Sequence, residues 1–200
     1  MNNQHIGQVM ASEMRLYDEQ NERLYINAEE RERFLVIAHK QPPHIKAFCL
    51  TLFYTGCRLS EGRELYFSAI QPTARLISFR SLKKRKQHHI REIPVPKELI
   101  DAFQELPRNL PNPIWHQNNK PIPRITAYRW IKEVVTQANI HGPQACPKGL
   151  RHGYGIHAVR SGVQLHMLQK WMGHASMSTT AIYANALGQE ELEIADRMWP

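Results

Sequence analysis

The sequence predicts a mainly helical α+β fold with one small antiparallel β-sheet. Three observations lead there. Beyond residue 26, most of the chain reads as capped, amphipathic or buried helices. One stretch, ARLISFRSLKKRKQHHIREIPVP (74–96), reads as two strands around a charged turn, closed by Pro94 and Pro96. Two hundred residues with 42% hydrophobic content suit one domain or one and a half, with enough apolar mass to fill a core.

Residues 1–26 are polar, rich in Gln, Asn and Glu, and read as an N-terminal arm or a short helix; residues 27–200 read as the main domain. In NAEERERFLVIAHK, Asn27 can cap a helix, Glu30 completes a capping-box pair, and Phe34, Leu35 and Ala38 form a face. HIKAFCLTLFYTG is a second, largely buried helix stopped by Gly56. RLSEGRELYF restarts a helix, the two strands follow, and PKELIDAFQEL is a helix with proline at its start. A Pro/Asn-rich loop covers 107–123, before the amphipathic helix ITAYRWIKEVVTQANI. Three short helical segments follow residue 147, and QEELEIADRMW closes the chain as another. There is no internal repeat and no low-complexity tract.

Charge is unevenly spread. Residues 34–189 hold 21 Lys/Arg against 7 Asp/Glu, whereas residues 1–33 hold 4 against 7 and residues 190–200 hold 1 against 4. A basic centre and a formal net charge of +8 point to a polyanionic partner, most simply nucleic acid. No apolar run approaches the 18 residues of a membrane span, and no signal peptide is visible. Cys49, Cys57 and Cys146 lack CxxC spacing, which suits reduced thiols in a cytosol. His88 and His89, with His116 or His141, lack zinc spacing, and no P-loop or Rossmann glycine pattern occurs.

Four islands carry reactive side chains. TGCRLSE puts Arg58 where one helix ends and another begins, with Glu61 three residues on to orient it. KKRK (83–86) sits at the expected hairpin tip, either a solvated turn or a lysine reaching over DNA; neighbouring cations would ease proton donation by such a lysine. CPKGLRHGYGIHA sets Lys148 and Arg151 on one side of a helix start, suited to phosphate, while His152 would point elsewhere and serve packing or hydrogen bonding in the fold. MGHASMSTTAIYANA places a lone phenol, Tyr183, after a run of small polar residues, nine positions beyond His174.

Together these islands resemble the tyrosine recombinase (phage integrase) family. The carriers are TGCRLSE, KGLRHGYGIHA and WMGHASMSTTAIYANA, with 23 residues from Arg151 to His174 and nine from there to Tyr183. The resemblance covers roughly 27–200 and implies the tyrosine recombinase catalytic-domain fold. By it, Tyr183 is the nucleophile, forming a 3′-phosphotyrosyl link. Arg58 and Arg151 bind the scissile phosphate, and His174 hydrogen-bonds a phosphate oxygen. A hairpin lysine is the general acid: Lys83 matches best, with Lys84 and Lys86 open. Phosphodiester cleavage builds charge on non-bridging oxygens, which two planar guanidiniums can clamp without a metal; no Asp/Glu cluster suits Mg²⁺, so no cofactor is expected.

Two departures stand out. The position three before Arg151, usually histidine, is Lys148; charged, it cannot accept the phenol's proton, although the related type IB topoisomerases carry lysine there. Most members carry an N-terminal core-binding domain where this sequence shows only residues 1–26, so it resembles the short recombinases similar to fimbrial phase-switch invertases, and weak DNA affinity is expected for an isolated monomer. The expected partners are double-stranded DNA, other copies in a homo-tetramer on two sites, and accessory DNA-bending proteins, with no membrane. Lys84, Arg85, Lys86, Arg124, Arg129 and Lys132 are candidate DNA contacts, and the tail 187–200 is a candidate for docking on a neighbouring protomer. The location expected is a prokaryotic cytoplasm, on the nucleoid when bound. Alternatives are a nicking-closing enzyme of the type IB topoisomerase kind and a DNA-binding regulator with impaired catalysis.

Overall fold

The computed structural model describes residues 14–80, 90–108, 111–185, 192 and 195–199. Helix α1, Ala28–His39, begins as expected: the Asn27 side chain accepts from the Glu30 N–H and the Glu30 carboxylate accepts from the Asn27 N–H, both at 2.9 Å. Helix α2, Pro43–Thr55, is buried from Ala47 to Phe53, and Gly56 ends it in the left-handed region at φ 57°. Only glycine fits there, because a Cβ would lie 2.3 Å from the Tyr154 ring. The short α3, Leu59–Arg63, follows at once.

The sheet has three antiparallel strands in the order β1 (Ile70–Gln71), β2 (Leu76–Arg80) and β3 (Ile90–Pro94). Ile77 pairs with Ile93 on the buried face and Ser78 with Glu92 on the other, so the period-two pattern sets the register. The expected hairpin tip, with Lys83, Lys84, Arg85 and Lys86, lies outside the described residues. Helix α4 is Lys97–Gln104. The stretch read as a loop contains a further hairpin, β4 (His116–Gln117) with β5 (Lys120–Pro121). Asn118 and Asn119 turn it at φ 52° and 59°, the left-handed pair that a two-residue hairpin needs.

Helices α5 (Arg124–Gln137), α6 (Pro147–Arg160), α7 (Leu165–Met172) and α8 (Met177–Ala181) complete the fold, and a single 3₁₀ turn, Ile182–Asn185, carries Tyr183. At the end of the chain Asp196–Met198 forms a 3₁₀ turn, and Leu192, Met198 and Trp199 are exposed. The main core joins α1, α2, α4, α5 and the sheet around Phe34, Phe48, Ile77, Leu99 and Ile131. A second cluster holds Leu16, Tyr25, Tyr154, Leu168, Met172 and Tyr183. The described part of the expected arm thus contributes to the packing, and the Ile26 N–H donates to the Gly149 carbonyl of α6 at 3.1 Å. No described helix is long and apolar enough to cross a membrane.

Phe48 is fully buried and meets Trp115 and Trp130 edge-on, at centroid distances of 4.9 and 5.6 Å. Phe48→Ala is expected to cost about 3–5 kcal/mol in urea unfolding. A loss under about 1 kcal/mol would mean that these aromatics are not the packing centre of the main core.

Candidate active site

The site begins at the junction Gly56–Arg58. Because Gly56 halts α2, its carbonyl faces α6 and accepts from Arg151 Nη1 at 2.5 Å. Arg58 leads into α3, and its backbone N–H and Nη1 reach the two Glu61 oxygens at 2.8 and 3.0 Å. Glu61 is buried, and its other partner is Arg91 of β3, whose Nη1 and Nη2 donate at 3.2 and 2.7 Å. Burial alone would raise the Glu61 pKa; the charge and hydrogen bonds of Arg91, then those of Arg58, outweigh it and hold it below 4.5.

Arg91 and Arg151 also fix the end of α7. Arg91 Nε donates to the Trp171 carbonyl at 2.7 Å, and Arg151 Nη2 to that of Met172 at 2.8 Å, so two cations cover orphan carbonyls where the helix dipole is negative. Gly173 then turns the chain at φ 65°, and the His174 N–H closes on the Gln169 carbonyl. This delivers His174 Nε2 to 3.0 Å from Arg151 Nη2. A guanidinium only donates, so Nε2 accepts and Nδ1 carries the hydrogen bonded to Thr180 Oγ1 at 2.9 Å. Burial, then Arg151 and Arg58, push the His174 pKa down to about 3, and the ring is neutral. Arg151 is itself pulled down to about 10 by burial and by Arg58, and it stays charged at neutral pH.

Tyr183 is 1% exposed. Its ring lies on α6, where a Cβ at Gly155 would stand 2.7 Å from three ring atoms, so α6 needs glycine at the point of closest approach. It stacks near His174, at a centroid distance of 6.2 Å and an interplanar angle of 20°. The hydroxyl lies 3.2 Å from His152 Nδ1. Burial raises the phenol to about 12 against the pull of Arg151 and Arg58.

Five of the expected residues therefore converge: Arg58, Glu61, Arg151, His174 and Tyr183. Lys148 is exposed in the first turn of α6, near enough to depress His152. Lys83 and its basic neighbours fall outside the described residues. Arg124 and Arg129 are exposed on α5, whereas the Lys132 ammonium donates to the Ala145 carbonyl at 2.8 Å. His152, expected to point elsewhere and to serve packing or hydrogen bonding in the fold, does form a hydrogen bond, but to the hydroxyl of Tyr183. Sequence reasoning missed Arg91 and Thr180. In IREIP the alternation places Arg91 on the inward face with Ile93, and a charged residue at an inward strand position signals a buried partner.

The fold is that of tyrosine recombinase catalytic domains. It superposes on a crystal structure of XerA recombinase with a TM-score of 0.74 at 24% identity, covering 88% of this chain and 65% of that one. A crystal structure of XerH site-specific recombinase with palindromic difH substrate, a post-cleavage complex, also gives 0.74 at 17% identity, covering 98% and 65%. The chain belongs to the phage integrase family, whose model matches residues 15–190. A tyrosine recombinase of Thermosipho africanus is 31% identical over 150 residues, covering 74% of this chain and 51% of that protein. Tyrosine recombinase XerA of Pyrococcus furiosus is 26% identical over 179 residues, covering 86% and 60%. The chain thus spans about half to three-fifths of the length of these curated relatives.

Glu61→Ala strips the carboxylate from a buried Arg91 and is expected to cost about 3–5 kcal/mol. Because the folded Glu61 pKa is depressed, its contribution is fully present above pH 4.5 and fades as pH falls through the folded value. The stability gap between wild type and Glu61→Gln should accordingly narrow on acidification, read from urea midpoints at pH 6, 4.5 and 3.

Proposed function

We propose that this chain is a site-specific DNA recombinase that cuts and rejoins strands through a 3′-phosphotyrosyl link at Tyr183, without a metal. The observation that carries this reading is the convergence of a phenol, a neutral imidazole and two guanidiniums at one point, with Arg151 Nη2 3.0 Å from His174 and the His174 ring beside that of Tyr183. Three of the five Arg151 N–H hydrogens bind protein groups, which holds the fork rigid and leaves two for a phosphate oxygen. Arg58 is a third exposed in its side chain and supplies the second donor. In the forward step the phenol gives its proton to water, the Oη–P bond forms, the P–O5′ bond breaks, and a lysine of the 83–86 stretch, Lys83 or else Lys84 or Lys86, gives a proton to the 5′ oxygen. A 5′ hydroxyl from a second strand reverses the step, because the phosphotyrosyl link conserves the bond energy.

A structural neighbour supports DNA as the partner: XerH site-specific recombinase is bound to its difH substrate in both crystal structures. Two copies on each of two duplexes, with accessory DNA-bending proteins, follow from the same reading. Exposed Leu192, Met198 and Trp199 near the terminus suit contact between protomers.

The test is a nicked suicide substrate, with the covalent adduct read on a denaturing gel. Wild type should form it and Tyr183→Phe should not. Arg151→Lys, which loses the planar fork, should slow it by about 10²–10³. No adduct points to a DNA-binding regulator, and an adduct without joined products from paired sites points to a nicking-closing enzyme.

A further inference from the structure

His152 is 1% exposed, and its one hydrogen bond among the described residues is to the Tyr183 hydroxyl, at 3.2 Å from Nδ1. Its second nitrogen, Nε2, is buried with no partner. A structural histidine in a core ordinarily anchors both nitrogens, because an unpaired buried N–H is costly. Here the polarity of the imidazole is spent on the phenol alone. The contact forms with either tautomer, the hydroxyl donating to Nδ1 or Nδ1–H donating to the hydroxyl oxygen, and in both the imidazole meets the phenol through this one nitrogen.

Two roles for such a contact can be separated by magnitude. A general base would take the proton of Tyr183. The imidazole is held down near 3 by burial, Lys148 and Arg151, while the phenol is pushed up to about 12 by burial. Both shifts oppose proton transfer from the phenol to the imidazole in this arrangement. The pair therefore stays neutral, and the hydrogen bond retains an intact phenol rather than ionising it. The remaining hold on Tyr183 is packing: its ring on Gly155, the His174 ring alongside, and a single 3₁₀ turn as backbone. A 3₁₀ turn is a weak tether.

We infer that His152 is a positioning residue that docks the Tyr183 hydroxyl in a withdrawn, closed state, and that breaking this one hydrogen bond is part of presenting the nucleophile. This rests on the recombinase reading for its consequence, although the docking can be measured without DNA. A long, neutral hydrogen bond stabilises weakly, so the closed state is held lightly and gives way once a phosphate offers the phenol a better place.

The experiment is nitration of the DNA-free protein with tetranitromethane, followed residue by residue by peptide mass spectrometry. His152→Leu removes both nitrogens at similar bulk; His152→Asn keeps a polar atom near the place of Nδ1. The expected result is a roughly two- to tenfold faster nitration of Tyr183 in His152→Leu, with the wild-type rate restored in His152→Asn. Tyr25 and Tyr154, buried in the same cluster, are the internal controls and should not change. Unchanged Tyr183 nitration in His152→Leu overturns the inference. So does a parallel rise at all three tyrosines, which would mark a packing role, and so does an Asn variant that behaves like Leu. If wild type forms no adduct on the suicide substrate while nitration follows the expected pattern, the recombinase reading fails and the docking role of His152 stands.

Discussion

Three stretches of chain far apart in sequence are tied together at the Arg151 guanidinium. It donates to the Gly56 carbonyl where α2 stops, to the Met172 carbonyl where α7 stops, and to His174 just beyond. A planar fork with several fixed donors can tie helix ends together in a way that a lysine ammonium cannot. The constraint runs in both directions. The helix ends hold the fork still, and the fork brings Arg58 and His174 to the same spot. Each carbonyl it meets is an orphan acceptor that would otherwise go unsatisfied. Stability and site geometry are here the same set of bonds, so the cluster cannot loosen without cost to the fold.

Charge balance explains why this assembly suits an anion. Arg58, Arg91 and Arg151 crowd around one carboxylate, Glu61, leaving the cluster net positive. Glu61 spends itself on Arg91 and Arg58, and Arg151 has no carboxylate of its own. Burial first, and then the neighbouring cations, keep both nearby imidazoles neutral. A neutral His174 carrying its hydrogen on Nδ1 is locked into that tautomer by Thr180 and Arg151 together. An anion placed here would supply the counter-charge the cluster lacks.

Much of this was legible in the sequence, for identifiable reasons. Helix caps and stops are local, and Asn27, Glu30 and Gly56 act as expected. The spacing of Arg58, Glu61, Arg151, His174 and Tyr183 places those types in order, and the fold brings them together. What could not be read depends on contacts between distant segments. Arg91 lies 30 residues from Glu61, and only the inward face of a five-residue strand hinted at it. His152 looked averted because it follows Arg151 and leaves α6 about 100° around the axis. Tyr183, however, returns from a later turn to the very side on which His152 projects. The β4–β5 hairpin was hidden by prolines, although Asn118–Asn119 carried its turn. The position of the hairpin lysines lies outside the described residues.

The withdrawn phenol has a consequence for its own acidity. Burial raises the Tyr183 pKa, while Arg151 and Arg58 lower it, and in the closed arrangement burial wins. The two effects differ in range. Desolvation belongs to the pocket and ends when the ring leaves it, whereas the pull of two nearby guanidiniums persists over several ångströms. On the proposed reading, moving toward the phosphate sheds the burial that opposes ionisation and keeps the positive charge that favours it. The bound phosphate then offsets part of that pull, so the most acidic phenol is one that has left His152 but still shares the arginines with its target. Keeping the nucleophile neutral at rest and easing its ionisation on approach thus require no separate switch, only a displacement of one ring.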